Sequence, residues 1–483
     1  MIPIIPLSGA MLLAYWVRWI IWKRKEQPVS VPILITCFFL PKVNLLKVSS
    51  LSTAGIRADD LLALLLLGIA VLADPETYRN KAVKRGIWAL LALSAVNLLS
   101  VFIGRLHGYN NQVLLSVMMA LRKFEYGSFA LTGIYLARRL KNPYRTFMGE
   151  FTLLSVMFAV PAALQVLGKC TYVVNGADAY NYFKGMAVST FNGYYEYGQF
   201  LCFGCAVFAC DLLSGRCELK ILKIPVSLVM LPVTLGLLML TSSRTSQVIG
   251  VLLILIAVFF PVRGTVSRPR LIAGGYGTIA ALAAFTLIAA GIVGWNLSGR
   301  FGSLDPDAFT GYWREFMQRG NFHQYREMVR TAYFEFDAID DLGYLEKISD
   351  WSIATRMLKW GAALDGFRLH PLLGYGTGVT HVMDGNYFRL LGETGLIGTL
   401  LWLGLYIGFM RAVWKARRRT LLGKALLLMM LSILLNSLMI DMFDASKPME
   451  MMWLLVGAAI AFPARTGAGR RIPEVLKETV MTT

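Results

Sequence analysis

The chain has 483 residues, of which 56% are hydrophobic and 16% charged, and its formal net charge is +19. Its mean hydropathy of +0.56 excludes an ordinary soluble domain, because apolar runs able to cross about 30 Å of hydrocarbon recur along nearly the whole length. The positive charge does not indicate nucleic-acid binding, since the basic residues sit in short loops between apolar runs instead of forming one patch. We therefore expect an all-α polytopic membrane protein whose surroundings are a lipid bilayer.

The apolar runs predict 12–13 transmembrane helices, because Arg18 interrupts the first run and Pro41-Lys42 the second. The basic loops fall on every second connection, which predicts that they are cytoplasmic and that the other connections face outward. The predicted spans are 3–22, 29–46, 59–74, 87–104, 113–137, 148–168, 197–214, 223–240, 246–262, 272–294, 386–410, 425–443 and 449–464. The connections predicted to face outward are 47–58, 105–112, 169–196, 241–245, 295–385 and 444–448.

This topology divides the chain into four regions. They are an N-terminal transmembrane bundle (1–294), a large periplasmic loop (295–385), C-terminal transmembrane helices (386–464) and a cytoplasmic tail (465–483). The large loop mixes charged and aromatic residues, and helical spacing within it predicts a small helical cap. Aromatic rings among polar groups suit a carbohydrate ligand, and a solvated lid without a ligand is the alternative.

The turn "TSSRTSQ" at 241–247 places Arg244 between two strongly apolar spans. The positive-inside rule disfavours an arginine on the outward side, so Arg244 is expected to have a partner. A guanidinium there suits a phosphate or diphosphate, and the alternative is an arginine that reaches lipid headgroups. Arg356 belongs to an amphipathic stretch with Trp360 and Ala363, and it either turns toward a site or faces water.

The stretch "HPLLGYGTGVTHVMDGNYFRLLGETGLIG" at 370–398 leads into an apolar span, and ionisable groups there are costly unless they are used. Its candidate functional residues are His370, His381, Asp384, Asn386, Arg389 and Glu393. Asn386, Arg389 and Glu393 project from one helix face, and the glycines that follow allow another backbone to come close. The alternative is purely structural: a helix capped by Asp384 with an i,i+4 pair between Arg389 and Glu393.

Other common sites are missing from the sequence. It has no Walker loop, dinucleotide fingerprint, HExxH motif or Cys/His cluster, so we expect neither a metal nor a cofactor. The C-x-x-C formed by Cys202 and Cys205 lies inside an apolar run, which indicates helix packing. No internal repeat or pair of broken spans points to an alternating-access transporter.

At these residues the chain resembles the O-antigen ligase and polysaccharide polymerase superfamily. The similar segments are "GIRADDLLALLL" at 55–66, "TFNGYYEYGQFL" at 190–201, "SSRTS" at 242–246, "R...W" at 356–360, "HPLLGYGTG" at 370–378 and "NYFRLLGETGLIG" at 386–398. They follow the family's usual order, with the large outward loop in its usual place. The segment at 386–398 is the most specific of them.

The resemblance implies a C-type-like membrane glycosyltransferase that uses undecaprenyl-diphosphate-linked oligosaccharide at the periplasmic face of the bacterial inner membrane. It implies no nucleotide-sugar donor and no metal. Arg244 and Arg356 match family arginines that bind the lipid diphosphate. Ligases carry a His-Asn pair nine and eight residues before the glutamate of the "ETGLIG" motif; counted from Glu393, this chain has Asp384 and Gly385 there. An aspartate at this place is similar to exopolysaccharide polymerases.

The resemblance thus favours a polysaccharide polymerase, with O-antigen ligase-type transfer as the alternative and a non-enzymatic lipid or solute transporter as a third possibility. Asp384 is the first candidate for general base, followed by His381 and His370. The candidates for substrate binding are Arg244, Arg356, Asn386, Arg389 and Glu393. A chain-length regulator and a flippase are the expected protein partners.

Overall fold

The structure is a computed structural model that describes most of the transmembrane helices predicted above. The described residues are 1–47, 55–75, 81–108, 113–173, 183–213, 219–221, 224–259, 356, 360–361, 363–364, 366–378, 384–417 and 421–461. Helices account for 77% of these residues. Several predicted features lie outside the described residues. They are the span at 272–294, the part of the large loop at 295–355, His381 and the tail 465–483.

The described helices follow the order of the predicted spans, and four short strands that were not predicted lie between them. The helices are α1 (Ile4–Arg18, continued by a π-helical turn Trp19–Lys23), α2 (Ser30–Phe39), α3 (Ala58–Ala73), α4 (Lys81–Leu106), α5 (Val113–Arg139), α6 (Pro143–Val166), α7 (Tyr194–Leu213), α8 (Val226–Leu240), α9 (Arg244–Phe259), α10 (Asn386–Arg417), α11 (Leu421–Asn436) and α12 (Ser446–Ala461). The strands are β1 (Asn44–Lys47), β2 (Gly55–Arg57), β3 (Lys220–Ile221) and β4 (Ile224–Pro225). β1 pairs antiparallel with β2, and β3 with β4.

Five helices of the described chain are long and apolar enough to cross a membrane. They are Ile4–Lys23, Val83–Leu106, Pro143–Val166, Tyr194–Leu213 and Asn386–Trp414. Four shorter apolar helices accompany them: Ser30–Phe39, Val226–Leu240, Arg244–Val258 and Leu422–Asn436. This is the architecture of an all-α polytopic membrane protein, apart from the two small hairpins.

Two predicted spans end earlier than their apolar runs. The run at 29–46 is helical only to Phe39, because Leu40 precedes Pro41 and takes an extended conformation. The run at 425–443 is helical only to Asn436. The residues beyond these two helix ends therefore belong to connections, where their polar groups can contact other segments.

The tightest helix packing joins α5 to α12. A Cβ atom added at Gly133 would lie 1.9 Å from the Leu454 carbonyl oxygen, and one added at Gly457 would lie 1.9 Å from that of Ala130. Glycine is required at both positions because the two backbones touch. Helix α7 runs through the centre of the bundle, and nearly all of its apolar stretch is buried.

Several connections predicted to face the same side of the membrane contact one another. The Lys447 ammonium donates to the carbonyl oxygens of Leu40 (2.7 Å) and Thr190 (2.8 Å). The His107 and His370 rings lie 4.7 Å apart. These contacts bring the connections together at one end of the bundle, which we call the site end.

Candidate functional site

The loop 370–378 and the first part of α10 form one hydrogen-bonded unit at the site end. Helix α10 is broken at Gly395, whose φ of 63° and ψ of −165° are not helical. Backbone hydrogen bonds join the two segments: Leu396 N–H to Pro371 O (2.8 Å), Ile397 N–H to Leu372 O (3.2 Å), Tyr375 N–H to Gly392 O (2.9 Å) and Gly376 N–H to Glu393 O (3.2 Å). A Cβ atom at Gly395 would lie 2.5 Å from the Leu372 carbonyl carbon. The close backbone approach predicted from the glycines is confirmed.

Arg389, one turn into α10, is enclosed by three carboxylates. Its Nε atom lies 3.2 Å from Glu393 Oε2, and its Nη1 atom lies 3.0 Å from Asp444 Oδ2 and also contacts Asp441. Lys123 of α5 contacts Asp444 from the other side. Only 3% of Arg389 is exposed. We call Arg389, Glu393, Asp441, Asp444 and Lys123 the ionic core.

The charge state of Asp444 follows from these contacts, since it lies in the connection between α11 and α12. Burial raises its pKa, but Lys123 and Arg389 lower it more strongly, so the net pKa lies well below the usual value. Asp444 is therefore a carboxylate at neutral pH. One of its carboxylate oxygens contacts Lys123 of α5 and the other contacts Arg389 of α10, so Asp444 holds these two helices together.

Asn386, the first residue of α10, fixes the connection that carries the two aspartates. Its side-chain amide contacts Asp441, and its Oδ1 atom accepts a hydrogen bond from the Phe443 N–H group at 2.7 Å. Its own N–H group donates to the Ser437 carbonyl oxygen at 2.9 Å. Asn386 is almost fully buried, so it positions this connection against the start of α10.

Asp384 lies outside the ionic core and pairs with Arg356. Arg356 Nε lies 3.2 Å from Asp384 Oδ2 and donates to the Met439 carbonyl oxygen at 3.2 Å. The Trp360 indole donates to the Asp384 carbonyl oxygen and stacks on Phe388 with the ring centroids 4.8 Å apart. The two charged side chains stay 22% and 32% exposed. Of the two orientations considered for Arg356, the structure has the inward one.

Tyr195 of α7 lies close enough to Asp384 and Asp441 to interact electrostatically with both. It belongs to the "TFNGYYEYGQFL" segment, which also carries Glu196, the partner of Lys42. The segment therefore brings a phenol and a carboxylate to the site end. The Tyr195 hydroxyl is a candidate hydrogen-bond donor to a substrate.

Arg244 is half-buried and is the first residue of α9, so the short connection predicted at 241–245 spans only three residues, 241–243. A buried chain of hydrogen bonds holds this turn. Its links are Ser243 Oγ to Ser246 Oγ (2.9 Å), Ser246 Oγ to Asn436 Oδ1 (3.4 Å), Asn436 Nδ2 to Gln199 Oε1 (2.6 Å) and Gln199 Nε2 to Ser432 Oγ (2.7 Å). Asn436 precedes Ser437, which accepts from Asn386, so the chain connects the Arg244 turn to the start of α10.

His370 begins the loop 370–378 and faces His107 at the end of α4, with the ring centroids 4.7 Å apart. Burial and the positive charge that His107 can carry both lower the pKa of His370. His370 is therefore neutral at pH 7 and able to accept a proton.

A second group of buried charges lies beside the ionic core. Lys42 pairs with Glu196 at 2.8 Å, and both side chains are less than 8% exposed. Arg57 lies 3.5 Å from Asp59 and 3.3 Å from Asp60 at the start of α3. The site end thus concentrates charged groups from helices that are otherwise apolar.

The structure brings together five of the predicted site residues: Arg356, Asp384, Asn386, Arg389 and Glu393. Sequence reasoning missed Lys123, Asp441 and Asp444. The usable signal was a pair of aspartates three residues apart at the end of the apolar run 425–443. Within the described residues, no group of three or more His, Cys, Asp or Glu side chains is arranged to hold a metal ion.

No protein-family model matches this chain, and no curated protein matches it.

Proposed function

We propose that this protein is a membrane glycosyltransferase that joins lipid-diphosphate-linked oligosaccharide repeats into a longer polysaccharide. The observation that carries the proposal is the Arg356–Asp384 pair. It is held by Trp360 and by the Met439 carbonyl, it stays partly open to solvent, and it lies at the end of an apolar bundle. A lipid-linked sugar needs such a place, where its tail stays in the bilayer and its diphosphate meets a guanidinium.

The chemistry follows from these groups. The acceptor hydroxyl oxygen attacks the anomeric carbon of the donor, and its proton passes to the Asp384 carboxylate. The bond between that carbon and the phosphate oxygen breaks, and its electron pair leaves with the lipid diphosphate. Arg356 and Arg244 stabilise the negative charge on this leaving group. Diphosphate binding draws Arg356 away from Asp384, which frees the carboxylate for its role as base.

The other residues support this site. Arg389 is surrounded by carboxylates, so we assign it, with Asn386 and Glu393, the role of positioning residues. His370, neutral at pH 7, is the second candidate for general base among the described residues, and His381 keeps its predicted role as a candidate. We assign the site end to the periplasm, where a flippase would deliver the substrate and a chain-length regulator would act.

The test is synthesis by the purified full-length protein in proteoliposomes. Given only lipid-diphosphate-linked repeats, the wild type should build longer glycans and release lipid diphosphate. Arg244→Ala and Arg244→Lys should both lose most of this activity, because a point charge cannot replace the bidentate guanidinium. Arg411→Ala, an exposed arginine of α10, is the matched control and should keep it.

Three results would contradict the proposal. If glycans are transferred only when a different acceptor is added, the protein is a ligase. If the lipid-linked repeat crosses the bilayer without release of diphosphate, it is a transporter. If Arg244→Ala makes normal polymer, Arg244 does not bind the donor.

A further inference from the structure

An apolar groove lies at the end of the bundle opposite the site end. It runs between α2, α5, α6 and α12, and Leu34, Leu136, Phe147 and Leu454 are among its walls. Its cavity measures about 50 Å³ and lies in a cleft that opens outward. Because its walls are hydrocarbon side chains of apolar helices, it suits an alkyl chain from the surrounding bilayer better than water.

Polar groups gather at the mouth of this groove around Glu150. Its Oε2 atom accepts a hydrogen bond from the Tyr15 hydroxyl at 2.9 Å, and its Oε1 atom accepts one from Gln27 Nε2 at 3.0 Å. Arg18 Nη1 lies 3.6 Å from Glu150 Oε2. The carboxylate thus accepts two hydrogen bonds, and the Arg18 contact is too long to be a third.

Two polar atoms beside Glu150 have no hydrogen-bond partner among the described residues. They are Arg18 Nη1, a donor, and Gln27 Oε1, an acceptor, and both are shielded from solvent. Gln27 as a whole is only 6% exposed. An unsatisfied buried donor beside an unsatisfied buried acceptor is costly and points to a polar ligand.

Basic residues surround the same mouth. Lys23 forms a 2.7 Å ion pair with Glu26, the neighbour of Gln27, and lowers the pKa of Glu26 with further contributions from Arg145 and Lys141. The side chains of Arg145 and Lys141 are exposed. This arrangement attracts an anion, as basic pockets between transmembrane helices do for acidic lipid headgroups.

We propose that the groove binds one acyl chain of an anionic phospholipid, whose phosphate accepts a hydrogen bond from Arg18 and whose headgroup hydroxyl donates one to Gln27. The ligand satisfies both unpartnered atoms and fills the groove with hydrocarbon. Its headgroup belongs to the membrane leaflet that the basic loops predict to be cytoplasmic. The inference does not depend on the proposed enzymatic activity.

The test uses the full-length protein, delipidated in detergent. Phosphatidylglycerol and phosphatidylcholine with identical acyl chains are added, and bound lipids are counted by native mass spectrometry. The wild type should retain phosphatidylglycerol about fivefold more than phosphatidylcholine, as one charge contact at a membrane surface allows. Arg18→Gln should abolish this preference, and Leu34→Trp should reduce the retention of both lipids by filling the groove.

The matched controls are Lys84→Gln, an exposed lysine of α4, and Leu228→Trp, an exposed leucine of α8. Both should behave like the wild type. If Arg18→Gln does not fold, the double variant Lys141→Gln/Arg145→Gln, which changes only exposed side chains, must weaken the preference. Equal retention of the two lipids by the wild type would overturn the proposal, as would a preference that survives in the folded basic variants. Glycan synthesis is not measured, so the result does not depend on the proposed function.

Discussion

Two arginine–carboxylate arrangements occupy the same end of the bundle, and they differ in what surrounds them. Arg389 is 3% exposed and meets Glu393, Asp441 and Asp444 in the ionic core. Arg356 meets one carboxylate among the described residues, that of Asp384, and both side chains are partly open to solvent. A fully enclosed charge is fixed by its partners, whereas a half-exposed pair can exchange one partner for a ligand. The first arrangement is suited to hold helices together and the second to do chemistry.

The largest expected effect is the loss of the enclosed arginine. Arg389→Met leaves three carboxylates facing one another without their main counter-charge, which should destabilise the protein by about 3–5 kcal/mol. Thermal unfolding of the purified protein measures this. Arg411→Met, on an exposed face of the same helix, should change the melting temperature little. If Arg389→Met and Arg411→Met have the same melting temperature, the ionic core does not stabilise the fold.

The next effect separates the two regions by activity. Asp384→Asn removes the proposed base but keeps the shape of the side chain, so glycan synthesis should fall by about 10²- to 10⁴-fold without a change in melting temperature. Asp441→Asn should instead lower the melting temperature, because it weakens the pairing of Arg389. Measuring both properties for both variants sharpens the comparison. If the Asp384→Asn variant is active, Asp384 is not the general base and a histidine takes that role.

A smaller effect is expected where the loop 370–378 meets α10. Gly395→Ala places a Cβ atom on a backbone with positive φ and extended ψ, a conformation nearly confined to glycine, at a cost of about 1–3 kcal/mol before any clash with Leu372. Gly404→Ala, where a Cβ atom would meet nothing within 4 Å in the described structure, should stabilise the same helix by roughly 0.5–1 kcal/mol. Thermal unfolding should show that Gly395→Ala is destabilising and Gly404→Ala stabilising, which would confirm the break of α10 at Gly395. Equal changes would refute it.

The smallest effect is a pH dependence of stability. The pKa of His370 is lower in the folded protein than its unfolded value of about 6.5. Its contribution to stability is therefore present above that pH and lost as the pH falls toward the folded-state pKa. Melting temperatures measured between pH 7.5 and pH 5.5 should fall less for His370→Gln than for the wild type. His107→Gln should have a similar but weaker effect, because it removes only the second cause of the shift.

The sequence predicted what depends on local spacing. The ion pair between Arg389 and Glu393, four residues apart on one helix, is present at 3.2 Å. A very short connection between the two apolar helices at Arg244 is also present, although it is three residues long and the prediction was 241–245. In both cases the neighbours in space are neighbours in the sequence, so helical periodicity and hydropathy are sufficient.

The sequence could not predict the partners that come from distant segments. Asp441 was assigned to the span 425–443 because the apolar run continues past Asn436 without a break. The helix ends at Asn436, whose side chain is committed to Gln199 and Ser246 on two other helices. Hydropathy does not show that the helix ends at Asn436, because this end depends on contacts with other helices. For the same reason the sequence leaves the orientation of Arg356 open, since the Met439 carbonyl oxygen that it contacts lies 83 residues away in the chain.

The bonds between the loop 370–378 and α10 set a rule for which mutations this stretch can accept. At Tyr375 and Gly376 the chain supplies N–H groups to carbonyl oxygens of the helix, whereas at Pro371 it supplies only a carbonyl oxygen. A proline-scanning library should therefore tolerate proline at 371, where it already occurs, and reject it at 375 and 376 whatever the original side chains do. Tyr375 and Gly376 are both buried, so no water can replace a missing backbone donor there. The constraint at these two positions comes from the main chain, so even a pocket engineered for new sugars would have to keep it.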